Sequence, residues 1–235
     1  MKILMQNANK REETQGIYVK YYTDINIDEE DSVSLAKKAD KAVAGAVNIA
    51  VVLLPHISNF TDFDTLERDG RVHLYYTFDP DEVAKADVVL LPGTKSTLSD
   101  LAELKRSGVA DAVTEACRNG KVVVGICGGY QMMGRRISDP EGVEGEPSEA
   151  LGLGLLPVDT EMTPEKVTRR TKFRFMDDDT MCEGYEIHMG LSKLDSGAVP
   201  LNRLSDGSVE GCQVDGRCMG TYMHGPVSYT HLRAH

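Results

Sequence analysis

Short apolar runs recur along the middle of the chain and alternate with stretches whose apolar residues repeat at helical spacing. The runs are NIAVVLL (48–54), VHLYYTF (72–78), ADVVLLP (86–92) and KVVVGIC (121–127). Between the last two, residues 98–104 and 110–117 carry helical periodicity, and Asn119-Gly120 supplies a stop. Nearly continuous β-branched runs separated by helices are the pattern of strands buried on both faces of a parallel sheet. The expected fold is therefore α/β, a doubly wound, mostly parallel sheet with helices on both faces and ligands at the C-terminal strand ends. The last third changes period. LGLLPVD (153–159), KVTRRTKFRF (166–175), EGYEIHMG (183–190), SVEGCQVD (208–215) and RCMGTYMHG (217–225) follow one another, divided by turn clusters such as MDDDT and LDSG. That succession predicts an antiparallel C-terminal extension or sheet edge.

Residues 1–46 are polar and charge-rich, with the acidic run IDEED (27–31) and a single apolar cluster, GIYVKYY, so they cannot bury a core of their own. They read as the tail of a preceding domain plus a linker, with one domain expected over 47–225. Composition agrees: 235 residues that are 41% hydrophobic suffice for one domain and exclude a disordered or fibrous chain. A formal net charge of −11 repels phosphate backbones and argues against nucleic acid as a partner. No apolar run approaches the roughly 20 residues of a membrane span, and the start MKILMQNANKREE turns polar too soon for a signal peptide. A cytoplasmic protein without a membrane partner is expected.

Cysteine supplies the first candidate chemistry. Five cysteines at irregular spacing imply no disulfide framework, and without CxxC or HExxH no metal site is expected. Cys117, Cys182, Cys212 and Cys218 read as small buried hydrophobes. Cys127 differs: in KVVVGICGGYQMMG a buried strand ends on it, two glycines follow, and a helix begins. This is a strand–nucleophile–helix elbow in the mechanical sense of GxSxG, where Gly125, Gly128 and Gly129 would relieve a tight turn and the helix N-terminus would favour a thiolate. Taken alone, the elbow leaves core packing open as the other reading of Cys127. A Cys nucleophile needs a base, and His224, after the strand-like RCMGTYM, is the best placed of six histidines. LLPGTKST (90–97) lacks the second glycine of GxxxxGK[ST], so it offers backbone N–H groups for an oxyanion in place of a nucleotide site.

ICGGYQMMG, LPGTKST, GYEIHMG (184–190) and GTYMHG (220–225), in this arrangement, resemble the triad-type (class I) glutamine amidotransferase domain of the cobyric acid synthase group, and LLPHISNFTDFDTLE (53–67) resembles the opening of that domain. The resemblance implies a flavodoxin-like fold and a glutaminase. Cys127 would attack the carboxamide of glutamine and His224 would shuttle the proton. Gly128, Gly93 and Thr94 would offer oxyanion N–H groups, and Gln131 would help bind substrate. It further implies ammonia delivery to ATP-dependent amidation of a corrin, adenosylcobyrinic acid a,c-diamide. ATP and Mg would be held by a synthetase domain missing from this chain, with no cofactor in the chain itself. Two departures matter. Many class I relatives carry a Glu two residues after the base, but here that position is Pro226, which leaves the orienting partner open; and the tail PVSYTHLRAH (226–235) reads as non-native, ending a truncated fragment. Two alternatives stand beside this reading: the amidotransferase subunit of lipid II isoglutaminyl synthase, and a catalytically dead domain used only for docking.

Overall fold

The computed structural model describes residues 38–175 and 181–225; most of the polar N-terminal arm and all of the tail after Gly225 lie outside the described residues. The first strands are β1 (Val47–Val52), β2 (Ile57–Ser58), β3 (Val72–Thr77), β4 (Val88–Leu91), β5 (Gly93–Thr94) and β6 (Val122–Ile126). Then come β7 (Arg136–Asp139), β8 (Ser148–Leu151), β9 (Val158–Phe175), β10 (Met181–Leu194) and β11 (Asn202–Leu204). The last are β12 (Val209–Glu210), β13 (Cys212–Val214), β14 (Cys218–Thr221) and β15 (Met223–His224). The helices are α1 (Asp64–Glu67), α2 (Pro80–Lys85), α3 (Thr97–Ser107), α4 (Val109–Arg118) and α5 (Gly128–Met133), with a 3-10 turn at Phe60–Phe63.

The four apolar runs become β1, β3, β4 and β6, and the central sheet has the order β13-β14-β6-β4-β1-β3. All pairs in it are parallel except β13 with β14. Read from β3, the parallel strands follow 2-1-3-4-5 in chain order, the flavodoxin-like arrangement, whose ligand crevice opens at the carboxyl ends beside the switch point. Val51, Val89 and Val123 at its centre are fully buried, which is why these strands lack polar alternation.

Three expectations are corrected. RCMGTYM belongs only in part to an antiparallel extension: β14 is buried at all four positions and lies parallel to β6, with the antiparallel β13 on its other side. Gly220 permits this, because a Cβ there would stand 2.1 Å from Cδ2 of Tyr130. LGLLPVD is a strand only from Val158; before it, the N–H groups of Leu153, Leu155 and Leu156 donate to the carbonyls of Met132 and Met133 and close the end of α5. Finally, Cys117 and Cys218 form a disulfide with Cα atoms 6.6 Å apart. Insertion of β14 beside β6, the strand that follows α4, brings together cysteines 101 positions apart, a proximity that local spacing does not reveal. Cys127, Cys182 and Cys212 are unbridged and buried.

The antiparallel part is a second sheet of order β12-β11-β9-β10-β15, to which β7 and β8 attach. The chain leaves the central sheet at Thr221 and enters the second at Met223. Buried Glu210 fixes this crossing, accepting from the Tyr222 N–H at 2.6 Å, the Thr221 hydroxyl at 2.7 Å and the Asn202 amide at 2.7 Å, and burial pushes its pKa up.

Candidate active site

Cys127 follows β6 with φ 52° and ψ −111°, a left-handed conformation that residues other than glycine rarely adopt. Backbone bonds hold it there: its N–H donates to the Thr221 carbonyl at 2.8 Å, and its carbonyl accepts from the Gln131 N–H at 3.0 Å. The glycines provide space. A Cβ on Gly129 would stand 2.1 Å from the Leu91 carbonyl oxygen, and one on Gly125 2.7 Å from the Gly129 carbonyl. At Gly128 a Cβ would meet Cγ2 of Thr94 at 2.5 Å and its backbone nitrogen at 3.2 Å, so the first amide of α5 lies against β5. The thiol itself is 3.5 Å from the Ile187 carbonyl of β10.

His224 reaches this elbow through strand register. Thr221 of β14 pairs with Ile126 of β6, so the two strands end level and the residues beyond them emerge at one sheet edge. The imidazole is 1% exposed. Its Nδ1 is 2.7 Å from Oδ2 of Asp62, whose other oxygen accepts from the Gly225 N–H at 2.9 Å. Nδ2 of Asn59 lies 3.2 Å and 3.4 Å from the two ring nitrogens, and the Tyr185 ring stacks on the imidazole with centroids 5.1 Å apart. Burial pulls the His224 pKa down, but hydrogen bonds and charge from Asp62 and Cys127 outweigh it and push the value up to about 9. The thiol is thus one of the ring's partners.

The β5 turn completes the site. Gly93–Thr94 pairs with Ile57–Ser58, and a Cβ on Gly93 would be 3.5 Å from Cε1 of His224. The Thr94 hydroxyl donates to Asp100, a fully buried carboxylate that also lies 2.7 Å from Nδ1 of His56. The N-terminus of α3 is capped by Glu144, which accepts from the N–H groups of Thr97 and Leu98 at 2.9 Å each. The structure thus brings Cys127, His224, Gly93, Thr94 and Gly128 together. Gln131 takes another part: both amide hydrogens are engaged, by the Met189 carbonyl at 2.8 Å and the Tyr222 hydroxyl at 3.1 Å, and its oxygen accepts from Thr97 at 3.2 Å.

Sequence reasoning missed Asp62, Asn59, Asp100 and Glu144. The signal for Asp62 was a carboxylate next to Phe63, a fully buried aromatic that carries the whole turn inward. Among the described residues no three His, Cys, Asp or Glu side chains are grouped to hold a metal, and no helix is long and apolar enough to cross a membrane. A buried thiol beside a buried imidazole, facing the amide of a helix N-terminus, is an arrangement suited to acyl transfer through a covalent intermediate.

Residues 48–231 match the CobB/CobQ-like glutamine amidotransferase domain family. The chain is 60% identical over 209 residues to a cobyric acid synthase of Bacteroides fragilis and 59% identical over 209 residues to one of Phocaeicola vulgatus; each comparison covers 88% of this chain and 42% of the relative. One of Syntrophobacter fumaroxidans is 43% identical over 237 residues, covering 92% of this chain and 45% of that protein. The chain therefore spans less than half the length of these relatives. Among solved structures, PurLQS from Thermotoga maritima superposes with a TM-score of 0.59 at 18% identity over 80% of this chain and 92% of that one. A structure described as a glutamine amidotransferase gives a TM-score of 0.58 at 19% identity over 75% and 89%. These two likenesses show the fold.

Proposed function

Because the chain belongs to the CobB/CobQ-like glutamine amidotransferase domain family, we propose that Cys127 and His224 hydrolyse glutamine through a thioester and release ammonia for use elsewhere in a longer protein. The observation that carries this is the left-handed Cys127 elbow level with the buried imidazole of His224. The Cys127 thiol gives its proton to His224 as its sulfur attacks the side-chain carboxamide carbon, and the C=O electron pair moves onto oxygen. That oxyanion is met by the N–H of Gly128 and the Gly93–Thr94 turn, each donor contributing roughly 3 to 4 kcal/mol in comparable sites. Collapse breaks the C–N bond as the His224 proton passes to the departing ammonia. Water then adds to the thioester, giving its proton to the imidazole, and glutamate leaves as the expelled sulfur takes that proton back. Gln131 braces α5 against β10 beneath this site.

The names of the relatives support a corrin carboxylate, as in adenosylcobyrinic acid a,c-diamide, as the acceptor of the ammonia, in preference to the lipid II isoglutaminyl alternative. ATP and Mg would then be held by the part of the relatives that this chain does not span, and this chain supplies the glutaminase half alone. Glutamate release by the purified chain tests the reading. Cys127→Ala should abolish it, whereas Cys182→Ala and Cys212→Ala should retain it; the reverse pattern refutes the assignment.

A further inference from the structure

Two residues after His224 stands Pro226, which has no carboxylate to offer the ring. A different carboxylate stands at the ring. Asp62, 162 residues earlier and 3% exposed, has Oδ2 2.7 Å from Nδ1 of His224, and its Oδ1 is fixed by the Gly225 N–H at 2.9 Å. It sits in the 3-10 turn Phe60–Phe63, where its own N–H donates to the Asn59 carbonyl at 3.1 Å. Asn59 opens that turn in a left-handed conformation, φ 54°, and lays its amide against both ring nitrogens. From this geometry we infer that Asp62 is the positioning residue that orients His224 and fixes its tautomer, in place of the carboxylate absent from position 226.

The chemistry follows from what each atom can do. An ionised carboxylate only accepts, so the ring nitrogen facing it must bear a hydrogen, and Nδ1–H is selected. Nε2 is then the atom that exchanges a proton with the thiol and the departing ammonia, while the Nδ1 proton stays in place throughout. The groups facing the ring are Asp62 from the 3-10 turn, Asn59 before it, Cys127 from the elbow and Tyr185 from β10. Of these, Asp62 is the one fixed anion, because Cys127 changes charge during the reaction. The inference rests on the reading of Cys127 and His224 given above.

The test compares the full 235-residue chain with Asp62→Asn, which keeps the shape and an oxygen for the Gly225 N–H. Two readouts are taken: kcat and KM for glutamate release, and the His224 ring titration by 15N NMR. Expected are a fall in kcat of about 10²- to 10⁴-fold with KM within about threefold, and a ring titration more than one pH unit below that of the parent. A folded variant in which either kcat or the ring titration stays at the parent value overturns the inference. Should the variant not fold, the ring 15N shifts of the parent chain above its His224 titration decide: the Nδ1–H tautomer upholds the inference and Nε2–H overturns it. Cys127→Ala in the same assay separates the two levels, since retained hydrolysis there refutes the functional reading, whatever Asp62→Asn does.

Discussion

At the scale of single residues, the site depends on groups placed at some cost to their own comfort. His224 is buried, yet its partners push its pKa up, so the folded state binds its proton more tightly than an unfolded chain does. The folded pKa of about 9 lies above the ordinary 6.5. The resulting stability is fully present below pH 6.5 and is lost as pH rises through 9, a change on the order of 3 kcal/mol. A pH series of Tm for the parent and His224→Asn checks this: the advantage of the parent should shrink between pH 6.5 and 9, and a constant gap would refute it. Residue types, more than partnerships, were legible at this scale. Cys127 and His224 stood out because thiol and imidazole chemistry is rare and each followed a strand. Asp62 did not, because nothing local links a carboxylate in NFTDFD to a histidine 162 positions later; only the fold makes them neighbours. The contacts of Gln131 were illegible for a related reason, since its distance from Cys127 along the helix says nothing of Thr97, Met189 and Tyr222, which engage its amide.

Elements set the distances that the chemistry needs. The turn from β6 into α5 works because Gly125, Gly128 and Gly129 let three backbone segments approach more closely than a Cβ would allow. Gly129→Ala should destabilise the fold by about 3 kcal/mol, since its methyl would press on the backbone oxygen of Leu91, which cannot rotate away; a lowered Tm is the readout. Gly128→Val should act mainly on catalysis. Its side chain would collide with Thr94 and separate the two oxyanion donors, lowering kcat by about 10²-fold or more, and a variant of full activity would refute the elbow geometry. β6 could be read from KVVVGIC because a strand buried on both faces announces itself by an unbroken apolar run. β14 could not be placed in the same way: it is short, and RCMGTYMHG runs through two strands that belong to different sheets. That switch at Tyr222, held by Glu210, delivers His224 to the thiol.

Across the whole molecule, the parallel core and the thiol edge were legible because they repeat one pattern, helix after strand. The second sheet was legible only as a succession of strands, since pairing between distant segments leaves no local trace. In the functional reading above, the molecule holds an acyl-transfer site but relies on the rest of a longer protein to use the ammonia. The chain alone should release glutamate slowly and hydrolyse no ATP, and adding the portion of a relative that it does not span should raise glutamate release about tenfold or more, in line with gating by closure around substrate. ATP turnover by the isolated chain would refute that division. The most direct measurement of the central claim is covalent: incubate the chain with a diazoketone analogue of glutamine and map the adduct by peptide mass spectrometry. One adduct, on the peptide carrying Cys127 and suppressed by excess glutamine, is the expected result. Labelling of Cys182 or Cys212 in its place, or modification of Cys127 that glutamine does not suppress, would contradict it.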